Sequence, residues 1–333
     1  MNFNQTVSKL TLRNITSLLI AIVALLSFPL AAAFAQSGKL TIAGTTVSLV
    51  PIKDFAPATG FAGLSNPATQ ASMLVTELPA VAYDQIAPKL ATLDGAKLAF
   101  APQRVDVQKL EQAEIAGQKA PLLSGKQMAG GTNFDKWIVL LKGARTVLIT
   151  VQSPEDAKLD SAAVRAMLAS ITLGGEPSLA DKLKALPFAI TPAEPFRIID
   201  TIAGSGVLMT VGPLDADPSG IQPMLIAAYQ LSGASLGTDQ LEATAETLLK
   251  RLPGFSSVTI ASRDKVRMGG SDGVLLAGTY SDKGIDKRFE QYLAIGKAGR
   301  YLQVIVSADV ENFDGLKPAI KAIVDSVAFA DNK

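Results

Sequence analysis

Neither cysteine nor histidine occurs anywhere in the 333 residues, and tryptophan occurs once. Without cysteine the chain has no disulfide framework and no lipid-modified lipoprotein start. Without both residues the usual zinc, copper, haem and iron–sulfur ligand sets are excluded, leaving only oxygen-ligand sites. The absence of histidine also removes the usual general base of serine hydrolases. Aromatic residues make up only 6% of the chain. That scarcity argues against a stacking platform for sugars, and the single Trp137 is expected to pack in a sheet. Charge of neither sign is in excess, with 31 Lys and Arg against 30 Asp and Glu. So even a balance gives no electrostatic footprint for nucleic acid. No cofactor is expected.

What is present begins with a sparse positive segment, Lys9 and Arg13, then the apolar run "SLLIAIVALLSF", Pro29 and the small-residue ending "AAAFAQ". Ala33 and Ala35 form an A-x-A signal, which predicts cleavage between Ala35 and Gln36. The uninterrupted run is shorter than the roughly 20 apolar residues that span a bilayer, so export is expected rather than a retained anchor. Removing residues 1–35 leaves 29 basic against 30 acidic residues, a formal charge of −1.

The most informative feature is a long internal repeat. "GQKAPLLSGK" from Gly117 matches "GSDGVLLAGT" from Gly270, and "SMLVTELP" matches "PMLIAAYQ". Arg145 falls opposite Arg300, Val147 opposite Leu302, Ile149 opposite Val304, and Ser170 opposite Ser326. A period of about 153 to 156 residues marks a duplicated domain, not a solenoid, whose repeats run roughly 20–50 residues.

Each copy has the same predicted layout. Leu316, Ile320, Ile323, Val324 and Val327 make one apolar helical stripe near the end of copy two, as Val164, Met167, Leu168 and Ile171 do in copy one. An earlier helix of copy two presents Leu241, Ala245, Leu248, Leu249 and Leu252, with Thr238 or Asp239 as N-cap, Glu242 in the first turn and Pro253-Gly254 as stop. Its counterpart around "AYDQIAPKLATL" is a poorer helix because Pro88 falls inside it. "KWIVLL" with "RTVLITVQ", and "FEQYLAI" with "RYLQVIVS", read as hairpins. These elements predict an α+β fold made of two tandem antiparallel β-sheet domains flanked by helices. The expected division is a signal peptide at 1–35, copy one at 36–174, a linker at 175–187 and copy two at 188–333.

"DKRFEQYLAIGKAGRYLQVIVSAD", followed by an amphipathic helix, resembles the end of a PsbP-like domain, the family that includes the periplasmic DcrB-like proteins. "LPFAITPAEPFRI" and "TTVSLVPIKDFAPA" are similar to the family's opening hairpin, with the aromatic after the proline replaced. The resemblance implies mainly non-catalytic binding or accessory roles, and it carries no functional residues across.

Several stretches invite chemistry. "GASLG", Gly233 to Gly237, fits G-x-S-x-G between an expected strand and helix, which nominates Ser235 as a nucleophile. A serine needs a base within hydrogen-bond reach, and without histidine only Lys250 or Lys265 stands as a nominal partner. Copy one reads "TELPAVAYD" at the same connection, with no serine, so a flexible turn is the expected role. Asp309, Glu311, Asn312 and Asp314 cluster in "SADVENFDG", but Gly315 is seventh and Ile320 twelfth, against the EF-hand spacing. Helix capping is the expectation there, as for "SPEDAKLDS" in copy one. Asp215 and Asp217 are expected in a solvated turn. Lys283, Lys287, Arg288, Lys297 and Arg300 lie near the copy-two hairpin and form a candidate partner surface, against Lys136, Lys142 and Arg145 in copy one.

These readings converge on an exported, non-catalytic binding or accessory protein of the cell envelope, periplasmic or secreted, acting through protein contacts. No catalytic or metal-binding residue is assigned. The alternatives are a hydrolase using carboxylates or a Ser–Lys pair, and a carrier of a small apolar ligand.

Overall fold

Eight consecutive buried residues, Ala71–Leu78, form a strand whose two faces are both covered. Around it the computed structural model builds a seven-stranded antiparallel sheet. The structure describes residues 38–330, except 218, 231–234, 253, 256, 283, 297 and 298. The expected cleavage site at Ala35 and Gln36, and Lys283 and Lys297, lie outside the described residues. The chain divides into two compact units, meeting in sequence at Leu186 and Pro187.

In the first unit the strands are β1 (Leu40–Thr41), β2 (Val47–Leu49), β3 (Ala56–Pro57), β4 (Gly63–Asn66) and β5 (Ala71–Leu78), then β6 (Val105–Ile115), β7 (Gln118–Ala129), β8 (Thr132–Lys142), β9 (Thr146–Pro154) and β10 (Thr172–Leu173). Its helices are α1 (Ala82–Ile86), α2 (Leu93–Phe100), α3 (Ser161–Ala169) and α4 (Leu179–Lys184). The large sheet runs β3-β4-β5-β9-β8-β7-β6, and β1-β2-β10 form a small separate one. One face packs Leu90, Ala96 and Phe100 against Leu123, Ile138 and Leu140. The other packs Val164, Met167 and Leu168 of α3 against Trp137, Val139 and Ile149. Trp137 is a buried sheet residue, as its sequence context predicts.

In the second unit the strands are β11 (Phe188–Ala189), β12 (Arg197–Ile202), β13 (Gly206–Thr210), β14 (Met224–Tyr229) and β15 (Thr259–Met268), then β16 (Ser271–Asp282), β17 (Ile285–Ile295), β18 (Tyr301–Asp309) and β19 (Ala328–Phe329), with helices α5 (Leu241–Arg251) and α6 (Val310–Asp325). The sheet order is β12-β13-β14-β18-β17-β16-β15, the same arrangement strand for strand. The repeat extends to irregularities. A register shift falls between Val107 and Lys109 in β6 and between Ile260 and Ser262 in β15. Ala116-Gly117 and Gly269-Gly270 both turn the following hairpin with positive φ, the conformation that a two-residue loop requires.

The helices follow their apolar stripes. In α6, Phe313, Leu316, Ala319, Ile320, Ile323 and Val324 are buried. At roughly 1.5–3 kcal/mol for each large side chain, that burial outweighs the ~3 kcal/mol cost of Pro318 inside the helix. The counterpart of α5 in the first unit is broken: α1 ends at Ile86, a 3₁₀ turn carrying Pro88 follows, and α2 restarts after its cap at Thr92. Two expectations about helix starts are corrected. Residues Thr238–Gln240 form a 3₁₀ turn, so neither Thr238 nor Asp239 caps α5, which begins at Leu241 with Glu242 in its first turn. The Gln240 side chain accepts from the Gly237 N–H at 3.3 Å, which holds that tighter turn. The helix capping expected of "SADVENFDG" is met by position and not by a side-chain bond: α6 starts at Val310, the Asp309 side chain at its N-cap accepts no backbone N–H of the helix, and Glu311 stands in the first turn.

Residues 175–186 pack onto the first unit. Lys182 of α4 is buried and its ammonium lies 2.6 Å from Glu176, which also pairs with Arg145 at 3.1 Å.

Candidate functional site

In the second unit, Arg288, Glu290 and Tyr292 point to the α6 side of β17 by strict alternation. Opposite them in register stand Thr279, Ala277 and Leu275 of β16, and beyond those Ser262 and Asp264 of β15. With Phe313 and Lys317 of α6, Arg288, Glu290 and these β15 and β16 residues line a cavity of about 330 Å³. Arg288 is fixed by Asp314 at 2.9 Å and by the Phe313 ring, whose centroid is 5.1 Å away. Lys317 also reaches Asp314, at 2.9 Å. These two cations hold the Asp314 carboxyl below its ordinary range, the bond to Lys317 contributing most. Glu290 accepts from the Tyr292 hydroxyl at 2.6 Å. Burial, reinforced by that carboxylate, pushes the Tyr292 phenol up. The cavity thus has a small apolar floor, Leu275 and Ala277, under a rim of both charge signs.

The same face is closed in the first unit. Trp137 occupies the ladder position of Glu290, opposite Ser124 as Glu290 is opposite Ala277. Over it, Arg165 of α3 binds Glu111, which stands where Asp264 stands in the second unit. Bonds from Arg165 and Lys109 hold the Glu111 carboxyl below its ordinary value. Lys126, at the position of Thr279, pairs with Glu155. One frame therefore carries a filled face once and an open one once.

Of the described members of the candidate basic surface, Lys287, Arg288 and Arg300, only Arg288 lines this cavity. Lys287, its neighbour on β17, points to the opposite face, is buried, and donates to the Gly220 carbonyl. Arg300 lies half-buried at the other end of the hairpin, where the Arg300 carbonyl accepts from Gly296. Burial lowers its pKa. At ~3.3 Å per residue, the stretch from Arg288 to Gly296 spans about 26 Å, so Arg288 and Arg300 stand at opposite ends of the hairpin. In the first unit, Lys142 pairs with Asp84 and Arg145 with Glu176, while Lys136 is buried.

Ser235 is exposed in a connection that packs against the next hairpin. Leu236 donates to the Gly299 carbonyl at 2.9 Å, and a Cβ on Gly299 would lie 2.5 Å from that of Ser235. Gly237 has φ −84°, so it serves the 3₁₀ start and not a left-handed elbow. Gly233 lies outside the described residues. Lys250 binds Glu246 at 2.7 Å on the exposed side of α5, and Lys265 is exposed on the edge strand β15. Beside this connection a shallower depression of about 540 Å³ runs along α5, between Leu248, Arg251 and Tyr301.

The acidic clusters resolve into local structure. Asp309 accepts from Asn312 at 2.8 Å, and Asp160 caps α3 by accepting from Ala162 at 2.9 Å. Asp215 pairs with Arg197 at 2.6 Å. Asp217 accepts from Ser219 and Gln222, and these bonds hold its carboxyl below the ordinary range against the opposing effect of burial. Among the described residues no group of three or more His, Cys, Asp or Glu side chains is placed to hold a metal ion. Nor is any described helix long and apolar enough to cross a membrane.

No protein-family model matches the chain, and no curated protein matches it. Solved structures do. LpqN of Mycobacterium tuberculosis, described as involved in cell envelope biogenesis, is 18% identical over 46% of this chain and 98% of its own, with a TM-score of 0.32. The immunity protein TplEi of T6SS from Pseudomonas aeruginosa is 15% identical over 88% of this chain and 97% of its own, with a TM-score of 0.31. A chain of the Tle4–Tli4 complex is 13% identical, covering 89% and 99%, with a TM-score of 0.31. At those values the fold assignment rests on the strand order and register described above.

Proposed function

We propose that the chain is an exported, non-catalytic binding protein of the cell envelope, built from two PsbP-like or DcrB-like domains, and that it engages a protein partner through the α6-side cavity of its second domain. Cleavage between Ala35 and Gln36 and domain limits near residues 174 and 188 belong to the same reading. The observation that carries it is the asymmetry between the copies. A duplicated frame that fills one face with Trp137 and leaves the other open under Arg288 and Glu290 favours a role for the open one. The rim of Asp264, Arg288, Glu290 and Lys317 suits a polar peptide segment with a small apolar side chain better than a wholly apolar ligand.

Affinity capture of the mature protein from the cell envelope tests this, with Glu290→Trp beside the wild type. The variant transplants the residue that closes the first unit, so it keeps the fold and loses the captured partner. Equal capture by both proteins, or hydrolytic activity with nothing retained, rejects the proposal.

A further inference from the structure

Lys136 is 3% exposed, and it stands in the first unit where the second has Phe289. Its neighbours have changed with it. Lys136 on β8 is in register with Gln152 on β9, and Gln152 with Ser72 on β5. Adjacent in-register residues project to one face, here the face covered by α1 and α2. In the second unit the same row reads Phe289, Ser307 and Met224. There Phe289 packs edge-on to Phe255 at 5.6 Å and to Tyr280 at 6.3 Å, and the Tyr280 hydroxyl meets Ser307 at 2.7 Å. That cluster satisfies itself.

The polar row of the first unit does not. The Lys136 ammonium donates to Gln152 Oε1 at 2.6 Å, which fixes which end of the amide is the donor. The other end, Gln152 Nε2, is buried without a hydrogen-bond partner, and so is Ser72 Oγ. Gln152 is 1% exposed and Ser72 0%. A buried ammonium is costly without a counter-charge, and burial acts on Lys136 with no carboxylate opposing it. Gly125 beside Lys136 and Ser65 beside Ser72 bring no further charge to the row from the flanking strands.

We propose that Lys136, Gln152 and Ser72 form an internal site for one small monovalent anion of chloride size. The ammonium supplies the charge, and the amide N–H and hydroxyl O–H supply two further donors. The anion neutralises the buried lysine and uses the donors that the protein leaves unpaired. A phosphate or sulfate dianion is too large and too strongly hydrated for a row walled by Phe100, Val107 and Ile138.

Crystals of the mature protein grown in sodium bromide test the site directly. The expected result is an anomalous peak within hydrogen-bonding distance of Lys136 Nζ and Gln152 Nε2. In gluconate buffer at neutral pH, added chloride or bromide raises the Tm saturably. Gln152→Leu raises the apparent Kd about tenfold, the loss of one hydrogen bond to a charged group. Lys136→Met abolishes the response, and Ser72→Ala weakens it should Lys136→Met fail to fold. An empty difference map at that position overturns the proposal, as does a salt response identical in wild type and Gln152→Leu.

Discussion

Ser170 and Ser326 make the same pair of hydrogen bonds in the two units. Each closes its helix by donating to the carbonyl three residues back, Met167 at 2.6 Å and Ile323 at 2.7 Å. Each also accepts from a backbone N–H near the start of its unit, Val50 at 2.8 Å and Thr191 at 2.9 Å. The hydroxyl ties α3 or α6 to the opening segment of its unit. Ser170→Ala and Ser326→Ala should each destabilise their own unit by about 1 kcal/mol, a typical net value for such bonds. Denaturant unfolding of the two variants, followed unit by unit, measures it; no change in either midpoint refutes a tethering role.

Gly299 and Ser235 define the next expectation. Gly299 has φ +68°, and any side chain there would strike Ser235. Gly299→Ala should cost roughly 1–3 kcal/mol through strain and overpacking. A fluorophosphonate probe should leave Ser235 unmodified, because no histidine exists to activate it. A covalent adduct found there by mass spectrometry would falsify the non-catalytic assignment of this serine.

Lys136 makes stability depend on pH in a predictable direction. Burial pushes its pKa from 10.5 down to about 8. Between these values the unfolded chain holds the proton and the folded chain does not, so stability rises with pH across that window. The penalty is fully present below pH 8 and amounts to about 3 kcal/mol at the ordinary free-energy value of such a shift. The measurement compares wild type with Lys136→Met in gluconate buffer, because a bound halide would hold the lysine charged. Parallel pH profiles for the two proteins would contradict it.

Lys287 anchors a loop. Thirteen residues, 211–223, join β13 to β14, against four, 67–70, at the same place in the first unit. The Lys287 ammonium, standing where the first unit has the buried Phe134, donates to the Gly220 carbonyl of that loop. Lys287→Met should accelerate hydrogen exchange at 219–222 while leaving exchange in β17 and β18 unchanged. Uniform exchange across the loop in both proteins would show that the anchor is not needed.

Much of the architecture was legible beforehand because it depends on local rules. The apolar stripes of Val164–Ile171 and Leu316–Val327 name helices whose buried faces the structure reproduces. Pro88 marks the broken helix because it lacks a donor wherever it sits. The candidate site was far less legible. Lys287 and Arg288 are adjacent in sequence, yet alternation along a strand sends them to opposite faces, and only one reaches the cavity. The cavity itself had one readable sign: the repeat aligns Glu290 with Trp137, a small charged residue against a large buried one. Seeing its meaning required the register.

The sequence by itself determined that histidine- and cysteine-dependent chemistry is absent, that the frame is written twice, and where its helices run. Composition and periodicity are properties of single residues and near neighbours, so they survive without coordinates. Tertiary structure alone decided which copy keeps an open face and where a lysine becomes buried among unpaired donors. Those outcomes depend on side chains delivered by β5, β8 and β9, or by β15, β16, β17 and α6, which meet only when the sheet closes its register.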